Sequence, residues 1–189
     1  MTHEEQIVGA VKKIMPAVVS ITAAKDWATL QEAARKLAPL GFPIPEDMPG
    51  MEGQAPDGVP LTDDGKVRLG GGSGFLVDKN GIILTNRHVV ADPEAEYTVV
   101  LDNDVSLPLT IVANDPIHDV AILKINMGGR PLPDLATATL AEDKPLELGQ
   151  TVIAIGNALG EFKNSVSTGV ISGLSRLISA ITDMSGKQD

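Results

Sequence analysis

No cysteine occurs among the 189 residues. Disulfides, thiolate zinc sites and cysteine nucleophiles are therefore excluded, while the redox compartment stays open. The chain also lacks any run of about 18 apolar residues, so no segment reads as a membrane-spanning helix, and no basic stretch precedes a hydrophobic one at the N-terminus as an export signal would require. As written, the chain is expected in the cytoplasm; a periplasmic or other extracytoplasmic place is the alternative if further sequence precedes it. Basic residues are few: 15 Lys and Arg stand against 25 Asp and Glu, a formal charge of −10. That balance argues against nucleic acid or an anionic membrane as partner and for a solvated acidic surface. The length suits one large or two small cores.

The local patterns begin with a helix. Thr2 and Glu5 stand at capping-box spacing, and Ile7, Val8, Val11, Ile14 and Met15 form one apolar face ending before Pro16, which predicts a helix over about 3–14. Residues 17–22 are short and β-branched, as in a strand. From Asp26, an N-cap type, Trp27, Leu30, Ala34 and Leu37 recur at helical spacing until Pro39. Residues 39–60 then hold six of the 13 prolines with little apolar periodicity, and read as a long loop. Beyond residue 66 the period becomes that of strands, at 74–78, 82–85, 97–101, 105–113 and 120–125. Asn80-Gly81 suggests a two-residue hairpin turn and Asp102-Asn103-Asp104 a second turn. With 17–22 these make six strands, enough to close one small antiparallel barrel. Gly- and Pro-bearing residues 126–147 read as a linker, followed by strands at about 150–156 and 165–173 and a third at 176–182.

Two side chains carry chemistry. His88, in Thr85-Asn86-Arg87-His88-Val89-Val90, and Asp119, in Asp115-Pro116-Ile117-His118-Asp119-Val120-Ala121-Ile122-Leu123, each sit at the end of an apolar strand-like run. A histidine serves as general base when a carboxylate accepts its far N–H and fixes its tautomer. The third member of such a triad is missing. No Gly-x-Ser-Gly-Gly or comparable turn follows Asp119. Ser165, Ser167, Ser172, Ser175, Ser179 and Ser185 lack the flanking glycines that let backbone N–H groups aim at an oxyanion. Ser73, inside Gly70-Gly71-Gly72-Ser73-Gly74, imitates a nucleophile loop but precedes the base. His118 could join His88 at a metal, yet zinc wants three or four ligands and the chain has neither His-x-x-x-His nor cysteine, so no metal or other cofactor is expected. Asp115-Pro116 reads as a turn initiator.

Four ordered blocks resemble the HtrA/Deg family of trypsin-like serine proteases: Gly72-Ser73-Gly74-Phe75-Leu76-Val77-Asp78; Gly81-Ile82-Ile83-Leu84-Thr85-Asn86-Arg87-His88-Val89-Val90; Asp115 through Lys124; and Leu148-Gly149-Gln150-Thr151-Val152-Ile153-Ala154-Ile155-Gly156-Asn157. The similarity runs from about Pro16 to about Ser175, with an insertion at 25–66; in the family an insertion after the first strand is regulatory in some members. The resemblance implies a mainly all-β, two-barrel protease: an N-terminal helix (1–15), a complete first barrel (16–125), a linker (126–147) and part of a second barrel (148–189). It implies His88 as base and Asp119 as orienting acid, with the Gly-Asn-Ser-Gly-Gly nucleophile motif lying downstream of Asp189. Unfolded or misfolded polypeptides are the implied substrates, trimers the implied assembly, and PDZ domains commonly follow. Ala158 stands where the family usually has proline, which puts only the local turn in doubt. The expectation is thus a serine endopeptidase present as a fragment without its nucleophile and inactive alone. The alternative is a non-catalytic binding or assembly module, which would have no chemical reason to keep both His88 and Asp119.

Overall fold

The computed structural model describes residues 1–37, 55, 58–141, 145–158 and 162–174. Its first helix, α1 (His3–Ile14), begins where the capping box places it: the Glu5 N–H donates to Thr2 Oγ1 at 3.1 Å and the Thr2 N–H donates to Glu5 Oε2 at 2.8 Å. Two otherwise orphaned helix donors are thereby satisfied. A 3-10 turn, Met15–Ala17, leads into β1 (Val18–Lys25). Helix α2 (Trp27–Leu37) follows at once, with the Asp26 carbonyl accepting the Leu30 N–H at 3.2 Å. The loop expected over 39–60 lies outside the described residues except for 55 and 58–60, and the strand expected over 176–182 lies outside them altogether.

Six strands close into an antiparallel barrel. β2 (Val67–Asp78), β3 (Ile82–Asn86), β4 (Glu96–Val100), β5 (Ser106–Asp115) and β6 (Val120–Ile125) join β1 in the order β1-β2-β3-β6-β5-β4, and β4 pairs back onto β1. Alternate residues face inward: Val19 and Ile21, Ile83, Tyr97 and Val99, Ala121, Leu123 and Ile125 are all buried, Ile83, Val99, Ala121 and Leu123 completely. Full burial of Ile83, Val99 and Leu123 contributes roughly 1.5–3 kcal/mol each. The closed ring leaves no edge strand to be guarded.

Two expectations need correction. β2 starts at Val67 rather than residue 74, because its glycine-rich run pairs with the middle of β1, Gly74 with Val19 through to Gly70 with Ala23, and Arg68 and Val67 continue onto Ala24 and Lys25. A glycine run that looks like loop is here a strand pressed against its neighbour. The Asn80-Gly81 turn is also of another kind. Gly81 alone takes the left-handed conformation (φ 81°), its N–H donating to the Asp78 carbonyl at 3.0 Å, and the Asp78 side chain accepts the Asn80 N–H. Asn80 does not take the positive φ that a two-residue Asn-Gly turn needs, and with Asp78 paired to Ile82 a three-residue turn with a left-handed glycine replaces that form. The β4–β5 hairpin repeats the design with Asp104 (φ 63°) in the glycine's place.

Past the barrel, residues 126–141 hold no regular element but lie against it: Leu135 is buried in the core and the Ala138 N–H donates to the Leu76 carbonyl at 2.7 Å. β7 (Thr151–Ala158) and β8 (Phe162–Val170) form a separate two-stranded antiparallel sheet. It meets the barrel where a Cβ on Gly156 would come within 2.8 Å of Ser73 Oγ. Among the described residues no helix is long and apolar enough to cross a membrane.

Candidate active site

Strand pairing brings the two chemical segments together. β3 and β6 are antiparallel neighbours with Asn86 opposite Val120, so the residues just beyond Asn86 meet those just before Val120. After β3 the chain tightens into a 3-10 turn, Arg87–Val90, which carries His88 outward and anchors through buried Val90. On the other side the β5–β6 turn is set by Asp115, whose Oδ1 accepts the Ile117 and His118 N–H groups at 2.8 and 3.2 Å. It ends at Asp119, held at φ 52°, a left-handed conformation that costs a non-glycine residue about 1 kcal/mol or more. The strain is offset by what the conformation allows.

Asp119 is used at every acceptor. Its Oδ2 lies 2.7 Å from His88 Nδ1, its Oδ1 accepts the His88 backbone N–H at 2.9 Å, and Asn86 Nδ2 donates to Oδ2 at 3.2 Å. The Asp119 carbonyl in turn accepts from the Arg87 N–H at 3.0 Å and from Asn86 Nδ2 at 3.2 Å. Burial pushes the Asp119 carboxyl up, but the His88 backbone N–H, the His88 ring and the Arg87 charge together outweigh it and hold the group below the ordinary carboxylate range. An ionised carboxylate can only accept, so the ring donates from Nδ1 and Nε2 keeps its lone pair. With half of the His88 side chain exposed, that nitrogen is free to take a proton from a reacting group.

The remaining sequence candidates lie elsewhere. His118 does not turn towards His88; its Nδ1 sits 2.7 Å from Asp115 Oδ2, a second and more exposed histidine–carboxylate pair. Among the described residues no three metal-ligating side chains come together. Ser73 lies within β2, Ser165 and Ser167 within β8 and Ser172 just after it, while Ser175, Ser179 and Ser185 fall outside the described residues. A cleft of about 590 Å³ between barrel and β7, lined among others by Ile14, Phe75, Asn86, Val120 and Ile153, runs beside the dyad without including either member. The bracing by Asn86 was not foreseen. It was legible in principle as a polar residue two positions before the histidine, at the end of a strand.

The family model described as a trypsin-like peptidase domain matches residues 72–188. The chain is 34% identical over 194 aligned residues to a probable periplasmic serine endoprotease DegP-like from Brucella suis biovar 1, covering 90% of this chain and 36% of that protein. A protein of the same description from Ectopseudomonas mendocina is 35% identical over 173 residues, covering 88% and 34%. One from Pseudomonas fulva is 41% identical over 105 residues, covering 56% and 20%. Barrel and blocks together define a trypsin-like β-barrel hydrolase fold. The chain belongs to the trypsin-like peptidases, in the HtrA/Deg family of serine proteases. It spans about a third of the length of the first two of these relatives.

Proposed function

We propose that this chain carries the base and the orienting acid of a serine endopeptidase, with His88 as general base and Asp119 as the group that fixes its tautomer. The observation that supports this most directly is the 2.7 Å bond between Asp119 Oδ2 and His88 Nδ1, which leaves the Nε2 lone pair uncommitted on a half-exposed side chain. In the reaction a serine Oγ attacks the peptide carbonyl carbon while His88 Nε2 takes the hydroxyl proton. The tetrahedral adduct collapses by breaking the C–N bond as His88 returns that proton to the leaving amine, and water then repeats the sequence on the acyl-enzyme. Asp119 stays ionised and stabilises the imidazolium throughout. Polypeptides in unfolded form are the proposed substrates, in keeping with the relatives' description as endoproteases.

The serine itself is not among those this chain presents, since none after Asp119 has a glycine-flanked turn. We assign residues 148–189 to part of a second barrel and residues 126–147 to the connection between the two. The nucleophile and oxyanion donors would then come from further polypeptide completing that barrel. The test labels three samples with a serine-directed phosphonate: the 189-residue chain, the chain completed with the protease-domain remainder of a DegP-like relative, and the completed His88→Ala chain. Labelling of the second sample alone is the expected result. Strong labelling of the 189-residue chain would overturn the proposal and point to one of its own serines.

A further inference from the structure

The turn that carries His88 is held from both ends. At its start Asp119 accepts the His88 N–H. Beyond its end lies Asp92, four residues past His88, and the group that meets Asp92 is a lysine out of water. Lys25, the last residue of β1, is 8% exposed, with Nζ 2.7 Å from Asp92 Oδ2 and 3.3 Å from Glu94 Oε2. Lysines usually bury the stem and leave the ammonium hydrated. Here two carboxylates replace the water. The Asp92 hydrogen bond holds the Lys25 ammonium above its ordinary pKa, against burial, and the same bond holds the Asp92 carboxyl below its own. Tyr97 grips the other side of the turn: the Asp92 N–H donates to Tyr97 Oη at 3.1 Å and the Tyr97 O–H donates to the Asp92 carbonyl at 2.8 Å. Glu94 is also felt, weakly, by Lys36 in the last turn of α2, whose main partner is Glu32.

We propose that Lys25 is a positioning residue for His88: by pinning Asp92 it fixes the exit of the 3-10 turn and so keeps the imidazole against Asp119. Removing the ammonium takes away the hold on the Asp92 carboxylate and leaves the exit of the turn to the Tyr97 backbone bonds alone, so the ring is less tightly placed. Because α2 begins two residues after Lys25, the insertion that follows β1 is rooted in the same anchor. The inference rests on the reading of His88 and Asp119 as a working pair, and the test separates the two.

The measurement is the tautomer of the three histidines, read from two-bond proton–nitrogen spectra of the nitrogen-15-labelled 189-residue chain with the rings neutral. A free neutral imidazole favours Nε2–H, whereas a ring donating to a carboxylate shows Nδ1–H. His3 serves as the free reference. His118, bonded to Asp115 and sharing no partner with Lys25, is the internal control. In Lys25→Met the Nδ1–H population of His88 is expected to fall by more than half while that of His118 is unchanged, and Lys25→Arg is expected to retain it. Asp92→Asn, which keeps the backbone bonds to Tyr97, is expected to act in the same direction and decides the matter if Lys25→Met does not fold. An unaltered His88 signal in both variants, whatever the loss of thermal stability, overturns the inference, as does loss of the His88 and His118 signals together. Asp119→Asn supplies the separation. If it leaves the His88 signal unchanged, the pairing itself fails; if it abolishes the signal while the Lys25 and Asp92 variants do not, only the positioning role fails.

Discussion

At Asp119 three costs are accepted in one residue: a left-handed backbone, partial burial of a charge and an opening to solvent that weakens each bond. They are offset by donors from the His88 backbone, the His88 ring and Asn86 converging on a single carboxylate. Asp119→Asn keeps the size of the group but replaces one acceptor oxygen with an N–H₂, which favours the wrong tautomer of the ring. In the completed enzyme kcat is expected to fall about 10⁴-fold with little change in KM, the scale known for such a change in a serine protease triad. The same variant has a signature in stability. The folded carboxyl titrates below its unfolded value, so its stabilisation is fully present above about pH 4 and is lost as pH falls through the folded value. Urea midpoints should therefore show a loss of about 1–2 kcal/mol at neutral pH, the usual worth of charged hydrogen bonds discounted for exposure. The loss should shrink as the pH falls from about 4 through the folded value, below which wild type and variant both carry a neutral side chain. A loss that stays constant down to pH 2.5 would show that the charge is not what Asp119 contributes.

Among the elements, β2 owes its place to residues that have no side chain. A Cβ on Gly71 would lie 2.4 Å from the Ile21 carbonyl oxygen, and one on Gly72 would lie 2.5 Å from Val89 Cγ2, on the turn that carries His88. Both distances are far inside contact, but the obstacles differ. Ile21 is backbone in the middle of the barrel, whereas Val89 is a side chain on a short 3-10 turn that can shift. Gly71→Ala is thus expected to cost more in thermal unfolding than Gly72→Ala, each on the scale of about 1–3 kcal/mol for overpacking. Gly72→Ala is expected to disturb the His88 resonances more than Gly71→Ala does. Equal melting temperatures together with unperturbed histidine signals would remove the glycines from this role. The same strand marks the limit of what the chain alone reveals. Helix α1 was legible because its capping box and apolar face are local, and β3, β4 and β6 because each is a short run rich in β-branched and other apolar residues. The histidine and the carboxylate could be named because each ends such a strand within a block shared with a known family. The first half of β2 was not legible, since a glycine run carries no periodicity and its strand character comes from pairing with β1. The Lys25–Asp92 contact joins residues 67 apart in sequence through barrel closure, and no spacing rule announces it.

At the scale of the molecule, the described residues form a closed barrel and a two-stranded sheet with very different degrees of burial. Val19, Ile21, Val99 and Leu123 are at most 2% exposed inside the barrel, whereas Val152, Val166 and Val170 of β7 and β8 are 40–58% exposed. Leu146 and Leu148, just ahead of β7, are 57% and 65% exposed. A two-stranded sheet is marginal on its own, and among the described residues no third strand pairs with its edges, which invite further strands. The formal charge of −10 acts against association, but that repulsion is screened as the Debye length shortens from about 10 Å at 0.1 M salt to about 3 Å at 1 M. The 189-residue chain is therefore expected to self-associate through the β7–β8 sheet, with the mean mass from sedimentation equilibrium rising with concentration and more steeply at high salt. Val152→Thr and Val170→Lys together should restore a monomer, since a polar face and an edge lysine both disfavour strand addition. The same pair of changes should leave barrel unfolding untouched, because neither residue contributes to its core. A monomer at all salt concentrations, or association unaffected by the double variant, would place the adhesive surface elsewhere. Association that weakens as salt is added would show that charge pairing, rather than apolar contact and open strand edges, holds the copies together.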